Sequence, residues 1–480
     1  MSEWTAIVMA AGHGTRMKSS LPKVLHLAAG RPLVYYPVRA AFDAGAARVV
    51  VVVNPATNAG IASALAEHLP HLPIEFAVQD VPRGTGDAAR VGMSGVRTEN
   101  VLILSGDTPL LRASDLAPLV ERWGGSPEPA LSFLSFALEN PSGYGRVLRD
   151  ERGLVREIRE HRDLVTDDEK SVREVNAGVY AAKSELLREA LSKLDSNNAQ
   201  GELYLTDVVA SLATGHTVLA SLADPASLSG VNDRAQLHEV EQVLFSRIRE
   251  DWARKGATVR GEPLVDDTVT IGPDAIIEDG ARLRGRTTIG EGALVDVGSV
   301  VTDAVIGPGA LIRPYSVVSN STVGARAQVG PFSHLRPDST IEDEAHVGNF
   351  VETKKTVMRR GAKANHLAYL GDGDVGENAN LGAGTIFCNY DGFQKHRTVI
   401  GAGAFVGSDS QLIAPVRVGD GAYVATGTTV VEDVPDDGFA IGRARQATKP
   451  GYASRLRERL RAAAAAAKVA LTATERKTDE

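Results

Sequence analysis

Cysteine is almost absent: the chain has one, Cys388. A lone thiol can form neither an internal disulfide nor a multi-cysteine zinc site, so a reducing cytoplasm is the expected home. Long apolar runs are missing too, since none reaches the ~18 residues needed to cross a bilayer. The start, Met1-Ser2-Glu3-Trp4, lacks the basic stretch of a signal peptide, and a soluble protein that is not exported is expected. Basic residues are in deficit, with 52 Lys and Arg against 60 Asp and Glu and a net charge of -8. That balance argues against a sequence-independent grip on nucleic acid or an anionic membrane, and leaves room for local basic pockets. Glycine is plentiful, at 48 of 480 residues against a usual ~7%, so tight turns are frequent. The length suits about two to four domains.

The first half alternates strands and helices. Trp4 to Ala10 is a short apolar run ending in the glycine turn Ala11-Gly12-His13-Gly14, and Arg48 to Val53 and Val101 to Leu104 read as further strands. Pro32 to Ala44 has helical spacing between them. This pattern predicts a Rossmann-like α/β domain over residues 1–231, with ligands at the C-terminal ends of parallel strands. Residues 232–254 form a helical, charged linker with apolar Leu237, Val240, Val243, Leu244, Ile248 and Trp252.

A six-residue period then takes over. Apolar starts recur at Ile271, Ile277, Leu283, Ile289 and Val295, at Ile306, Ile312 and Val318, and at Val323, Val329, Leu335, Ile341 and Val347. They return at Val375 and Leu381 and at Ile400, Val406, Leu412, Val418 and Val424. Aliphatic first residues with small fifth residues are the hexapeptide signature of a parallel β-helix, three hexapeptides to a triangular coil. Residues 255–449 are therefore expected to form one, in which each coil buries its apolar side chains only against neighbouring coils. Thr353 to Asp374 and Phe387 to Thr398 break the period and are expected to be loops carrying function. Residues 450–480, basic and alanine-rich, read as a frayed or disordered tail.

The chemistry of the first half centres on Met9-Ala10-Ala11-Gly12-His13-Gly14-Thr15-Arg16-Met17, with Leu21-Pro22-Lys23 after it. Small residues let backbone N–H groups close on phosphate oxygens, and cations neutralise the charge of a departing polyphosphate. Asp107, at a strand end, and Asn232 supply oxygen donors suited to Mg²⁺, which takes few protein ligands and keeps waters and phosphates.

The glycine-loop string resembles the signature of sugar-1-phosphate nucleotidyltransferases. Gly84-Thr85-Gly86-Asp87-Ala88, Gly106-Asp107-Thr108-Pro109, Gly143-Tyr144-Gly145-Arg146, Glu160-His161, Asn176-Ala177-Gly178 and Val231-Asn232 follow in that family's order. With the hexapeptides added, residues 4 to 450 resemble the bifunctional N-acetylglucosamine-1-phosphate uridyltransferases and glucosamine-1-phosphate acetyltransferases. The resemblance implies a left-handed β-helix and a homotrimer with CoA between subunits. It implies acetyl transfer from acetyl-CoA to glucosamine-1-phosphate in the second half. Uridylyl transfer from UTP to N-acetylglucosamine-1-phosphate, with Mg²⁺, then follows in the first.

On that resemblance Met9, Ala10, Ala11, Gly12, Gln79, Gly84 and Thr85 hold the uridine base, with Ser105 and Gly106 beside the metal ligands Asp107 and Asn232. Gly145, Glu160 and Asn176 hold the sugar, and Arg16 and Lys23 face the triphosphate. Ser105 stands where tyrosine is common and Met9 where leucine is. His366, in Lys363-Ala364-Asn365-His366-Leu367, is the expected base that takes a proton from the attacking amine. His334, His346 and His396 are read as ordinary histidines. Arg336, Lys354, Tyr369 and Asn380 are assigned to the sugar phosphate, and Ala383, Asn389, Tyr390, Ser408, Thr426 and Arg443 to acetyl-CoA, with Thr426 in place of the usual alanine. Cys388 is read as packed near this site, because direct transfer from a thioester needs no protein nucleophile. Two rivals make other predictions: a nucleotidyltransferase for a different sugar would not acetylate, and a scaffold subunit would turn nothing over.

Overall fold

A computed structural model of the protein describes residues 3–12, 14–121, 123 and 128–478, so His13 of the glycine turn lies outside the described residues. The first part is built on a seven-strand path ordered Val218–Leu222, Leu131–Ala137, Glu174–Lys183, Asn100–Ser105, Trp4–Met9, Ala46–Val53, Ile74–Val78. Trp4–Met9 pairs parallel with both of its neighbours, whereas Glu174–Lys183 runs antiparallel to the strands on either side. The sheet is thus mixed where alternation alone implies a parallel one. Its central strands Trp4–Met9, Ala46–Val53 and Asn100–Ser105 are near-continuous apolar runs because both faces are covered. Val8, Val51 and Leu104 enter one core and Ile7, Val52 and Ile103 the other. The chain reverses strand order around Trp4–Met9, which opens a crevice beyond Met9 and Ser105.

The linker helix spans Arg234–Arg254, begun by the Asp233 carboxylate accepting from the Gln236 backbone N–H at 2.9 Å. Leu237, Val240, Leu244 and Ile248 are buried at three- and four-residue spacing, while Val243 is exposed. Those buried residues share one apolar core with the β-helix above them.

The second part consists of three parallel sheets of eleven, ten and nine short strands, in agreement with the expected left-handed β-helix. Ile271 stacks on Ile289 and Ile289 on Ile306 along one face, Ile277 on Val295 and Ile312 along the next, and Leu283 on Val301 and Val318 along the third. The register identifies what the six-residue reading misses. At two corners every step between stacked positions is six residues, but at the third it shortens to five, from Val301 to Ile306, Val318 to Val323, Thr353 to Met358 and Leu370 to Val375. Thr353 to Asp374 is therefore not a loop. Met358, Ala364 and Leu370 stay in the buried columns, and two short corner steps hide them from a strict period. Phe387 to Thr398 is a true insertion at that same corner, closed by a bridge between Tyr390 and Lys395. Tyr452–Thr478 forms a helix whose side chains are exposed through 469, apart from half-buried Leu456.

Candidate active sites

In the first domain a pocket of about 290 Å³ opens beyond the strand ends. It is lined by Met9, Ala10, Ala11, Gly12, Lys23, Gln79, Gly84, Thr85, Ser105 and Asp107, all expected nucleotide residues, together with Val24, Pro82, Ala88 and Glu202. The walls are held from behind. Buried Asn54 donates its amide to the Ala11 carbonyl at 2.9 Å, and the Gly106 N–H donates to the Met9 carbonyl at 2.9 Å. Gly84 has φ +110, and any Cβ there would meet the Leu203 carbonyl at 2.5 Å, so only glycine fits ahead of the helix Thr85–Gly92. Gln79 is buried and donates to the Asp87 carboxylate at 2.8 Å, which fixes the amide's orientation. A larger cavity of about 460 Å³, lined among others by Asp150, Arg156, His216 and Val218, contains none of the expected residues.

Beside this pocket two cations meet two oxygen donors. Lys23 is paired with Asp107, which also accepts from the Ser105 hydroxyl at 2.6 Å, and Arg16 donates to the Asn232 side-chain oxygen at 2.8 Å. Backbone joins the two halves of the cluster, because the Val231 N–H donates to the Asp107 carbonyl at 2.9 Å. Among the described residues no group of three or more His, Cys, Asp and Glu side chains gathers around one point. The residues expected to hold the sugar form their own cluster: the Asn176 N–H donates to the Gly145 carbonyl at 3.0 Å, and a Cβ on Gly145 would lie 3.4 Å from the Glu160 carboxylate. Glu160 accepts from Thr206 at 3.0 Å, and burial raises its carboxyl above the ordinary range. The segment 203–206 ties the two clusters together, since the Leu205 N–H donates to the Thr85 hydroxyl at 3.1 Å.

In the β-helix, His366 ends the strand Lys363–His366 and lies opposite Asn349 in the coil before it. Its Nδ1 is 2.6 Å from the Asn349 side-chain oxygen. An amide oxygen only accepts, so Nδ1 carries the proton and Nε2 is left as the basic nitrogen. His346, on the same face, is shifted down by burial, with Lys363 and His366 adding to the effect.

Arg336, Lys354 and Tyr369 stand on the next face, and Arg336 donates to Glu352 at 2.8 Å. Lys354 is pulled below its ordinary value by contact with Lys395 and by that ammonium's charge, then more weakly by burial and Arg336. Lys395 comes from the insertion and adds a third cation that the spacing did not reveal. Asn380 belongs to the face of His366, around the corner from Arg336 and Lys354.

Ala383, Ser408 and Thr426 rise one above another along that corner, joined by Asp409 N–H to Ala383 O at 2.7 Å and Gly427 N–H to Ser408 O at 2.8 Å. Arg443 reaches back to the Thr426 carbonyl. Asn389 and Tyr390 begin the insertion at the next corner, with Asn389 donating to Asp372 at 2.6 Å. Cys388 is half-buried with its thiol pushed up by burial, the state of a packed thiol rather than a nucleophile.

A family described as MobA-like NTP transferase domain matches residues 6–186. Across nearly the full length, the chain is 55% identical to the bifunctional protein GlmU of Sorangium cellulosum, over 96% of this chain and 98% of that one. The chain belongs to the GlmU family. The GlmU protein of an Anaeromyxobacter strain is 50% identical over 94% of this chain and 92% of its own, and that of Pelobacter propionicus 45% identical over 96% and 100%. As a GlmU-family protein it is a bifunctional transferase of UDP-N-acetylglucosamine synthesis, an acetyltransferase and a uridyltransferase on one chain.

Within this GlmU-family chain the contacts add residues that motif reading passed over. Asp87 aims Gln79, Asn349 orients His366, Glu352 holds Arg336, and Lys395 crowds Lys354. Asp87 was legible as part of Gly84-Thr85-Gly86-Asp87-Ala88. For Asn349 and Glu352 the signal was coil stacking, which sets them 17 residues from His366 and Tyr369 in register.

Proposed function

We propose that the glycine-loop pocket performs uridylyl transfer and the His366 surface performs acetyl transfer, each with the residues named above. The observation that supports the first assignment is the gathering of Met9 to Gly12, Lys23, Gln79, Gly84, Thr85, Ser105 and Asp107 around one pocket from segments far apart in sequence. Met9 to Gly12, Gln79, Gly84 and Thr85 bind the base, with Ser105 and Gly106 nearby, and Gly145, Glu160 and Asn176 hold the sugar. Lys23 and Arg16 neutralise the triphosphate as the sugar-phosphate oxygen attacks the α-phosphorus and pyrophosphate departs.

Asp107 and Asn232 fit Mg²⁺, for both are oxygen donors and both now sit against cations that a divalent ion could replace. When bound, the ion supplies charge neutralisation and orients the phosphates. Asp107 and Asn232 would hold the ion, and Lys23 and Arg16 beside them would face the polyphosphate.

In the second site His366 Nε2 accepts the proton of the amine as it adds to the thioester carbonyl, and the C–S bond then breaks to release CoA thiolate, which takes up a proton, with Asn349 holding the ring. Arg336, Lys354, Tyr369 and Asn380 take the sugar phosphate. Ala383, Asn389, Tyr390, Ser408, Thr426 and Arg443 take acetyl-CoA. These residues occupy two faces and two corners of one prism, an arrangement that supports a homotrimer in which a neighbour closes the site. The lone thiol supports a cytoplasmic location.

The test is one assay with glucosamine-1-phosphate, acetyl-CoA, UTP and Mg²⁺, following free CoA thiol and pyrophosphate separately. Release of both, with pyrophosphate requiring acetylation, is expected. Pyrophosphate without thiol would remove the acetyl-site assignment, and a light-scattering mass below three chains would remove the trimer.

A further inference from the structure

The segment that presents Lys23 is moored in both halves of the molecule: Val24 and Val34 are buried in one core of the sheet, while the hairpin between them reaches outside the nucleotide domain. The short helical turn Lys23–Leu25 runs into a hairpin of Leu27–Ala28 and Arg31–Pro32, and the two are locked together. The His26 N–H donates to the Lys23 carbonyl at 3.2 Å, Leu33 to His26 at 3.0 Å, and Val34 to Val24 at 3.0 Å. Met17, Ala28, Ala29 and Leu33 are buried in the core shared by the linker helix and the β-helix, not in either core of the sheet.

The hairpin tip sits on the first coil of the β-helix. The Asp267 N–H donates to the Ala29 carbonyl at 2.8 Å, and the Asp267 carboxylate accepts from Arg31 Nε at 2.9 Å. Arg31 also meets His68 Nδ1 at 3.0 Å and lies 4.5 Å above the Tyr35 ring, so three partners fix one planar group. Gly30, at φ +82, would drive a Cβ to 2.7 Å from Asp266, so the approach leaves no slack.

We propose that Asp267, a residue of the acetyltransferase half, is a positioning residue for uridylyl transfer. It clamps Arg31 and the Ala29 carbonyl, and through the hairpin sets where the Lys23 ammonium stands relative to Asp107. The inference rests on the reading that Lys23 serves the uridylyl site. A displacement of about 1 Å in a catalytic group can cost on the order of 10²-fold in rate, so a small slip of the hairpin is enough.

Asp267→Ala, Asp267→Glu, Arg31→Lys and Arg31→Ala/Asp267→Ala are compared with Lys23→Ala in the full-length protein, with both activities measured on each sample. Asp267→Ala is expected to lower uridylyl kcat roughly tenfold with KM for UTP little changed and acetyl transfer intact. Arg31→Lys is expected to match it, Asp267→Glu to recover part of the rate, and the double variant to be no worse than Asp267→Ala alone. Full uridylyl activity in Asp267→Ala beside an inactive Lys23→Ala overturns this inference and leaves the role of Lys23 standing. Full activity in Lys23→Ala removes that role and this inference together. Equal loss of both activities in Asp267→Ala marks a purely structural contact and also overturns it.

Discussion

The two halves keep their reactive residues in opposite kinds of place. In the nucleotide domain they collect where regular structure stops, at the ends of Trp4–Met9 and Asn100–Ser105 and in the loops that follow. In the β-helix His366, Asn349, Arg336, Lys354 and Tyr369 sit on or at the ends of regular strands, and the buried columns beneath them are unbroken. An α/β sheet offers one crevice, so chemistry must go there. A stack of coils offers whole faces, so any outward position can be recruited without disturbing the core. The resting electrostatics differ as well. Lys23 and Arg16 are already paired with Asp107 and Asn232, while Lys354 is pressed by Lys395 and more weakly by Arg336, which is itself paired with Glu352.

The sharpest test of that separation is His366→Ala, expected to cut acetyl transfer by about 10²–10⁴-fold and leave pyrophosphate release from N-acetylglucosamine-1-phosphate and UTP unchanged. Asp107→Ala is the converse, with uridylyl transfer falling by roughly 10²–10³-fold while CoA thiol appears at the normal rate. Ile341→Ala asks whether the coils tolerate a gap beneath the site: burial of this side chain predicts a loss of about 2–5 kcal/mol in denaturant unfolding of the β-helix. Asn349→Ala removes the bond that selects the His366 tautomer, and about a tenfold loss of acetyl kcat is expected, near 1.4 kcal/mol.

The smallest effect concerns pH. Asp207, beside the sugar cluster, is raised to about 6 by burial first and then by Asp195, Glu160, Asp163 and Glu157. Between its unfolded value near 4 and about 6 the folded state holds the extra proton, so this group's contribution to stability is present at low pH and lost as pH rises through that window. Asp207→Asn is expected to raise stability at pH 7 by about 1 kcal/mol, discounted for its partial exposure, and to flatten thermal melts between pH 4 and 6.

The repeat was legible because each stacked position must be aliphatic or small, and the glycine-loop pocket because its residues lie in short contiguous strings. The coil carrying His366 was misread as a loop for a physical reason: steps of five, as from Thr353 to Met358, keep a side chain in its column but break a count of six. The antiparallel Glu174–Lys183 strand was hidden because strand direction depends on pairing, not composition. Lys395 and Asp267 could be found only by knowing what they touch, since each acts on a group in another coil or another domain, whereas Asn349 is signalled by its stacking distance from His366 once the coils are in register.

The corner where steps shorten to five is also where the thirteen-residue stride from Phe387 to Ile400 occurs, and the coils on either side remain in register. It behaves as an expansion joint. Length can be gained or lost there without shifting any tread of the staircase above or below, so drift in chain length and the search for new contacts are both channelled to a single edge. Of the other two edges, both held at a constant stride, one carries the column of Ala383, Ser408 and Thr426, whereas Asn389, Tyr390 and Lys395 stand on the variable edge itself.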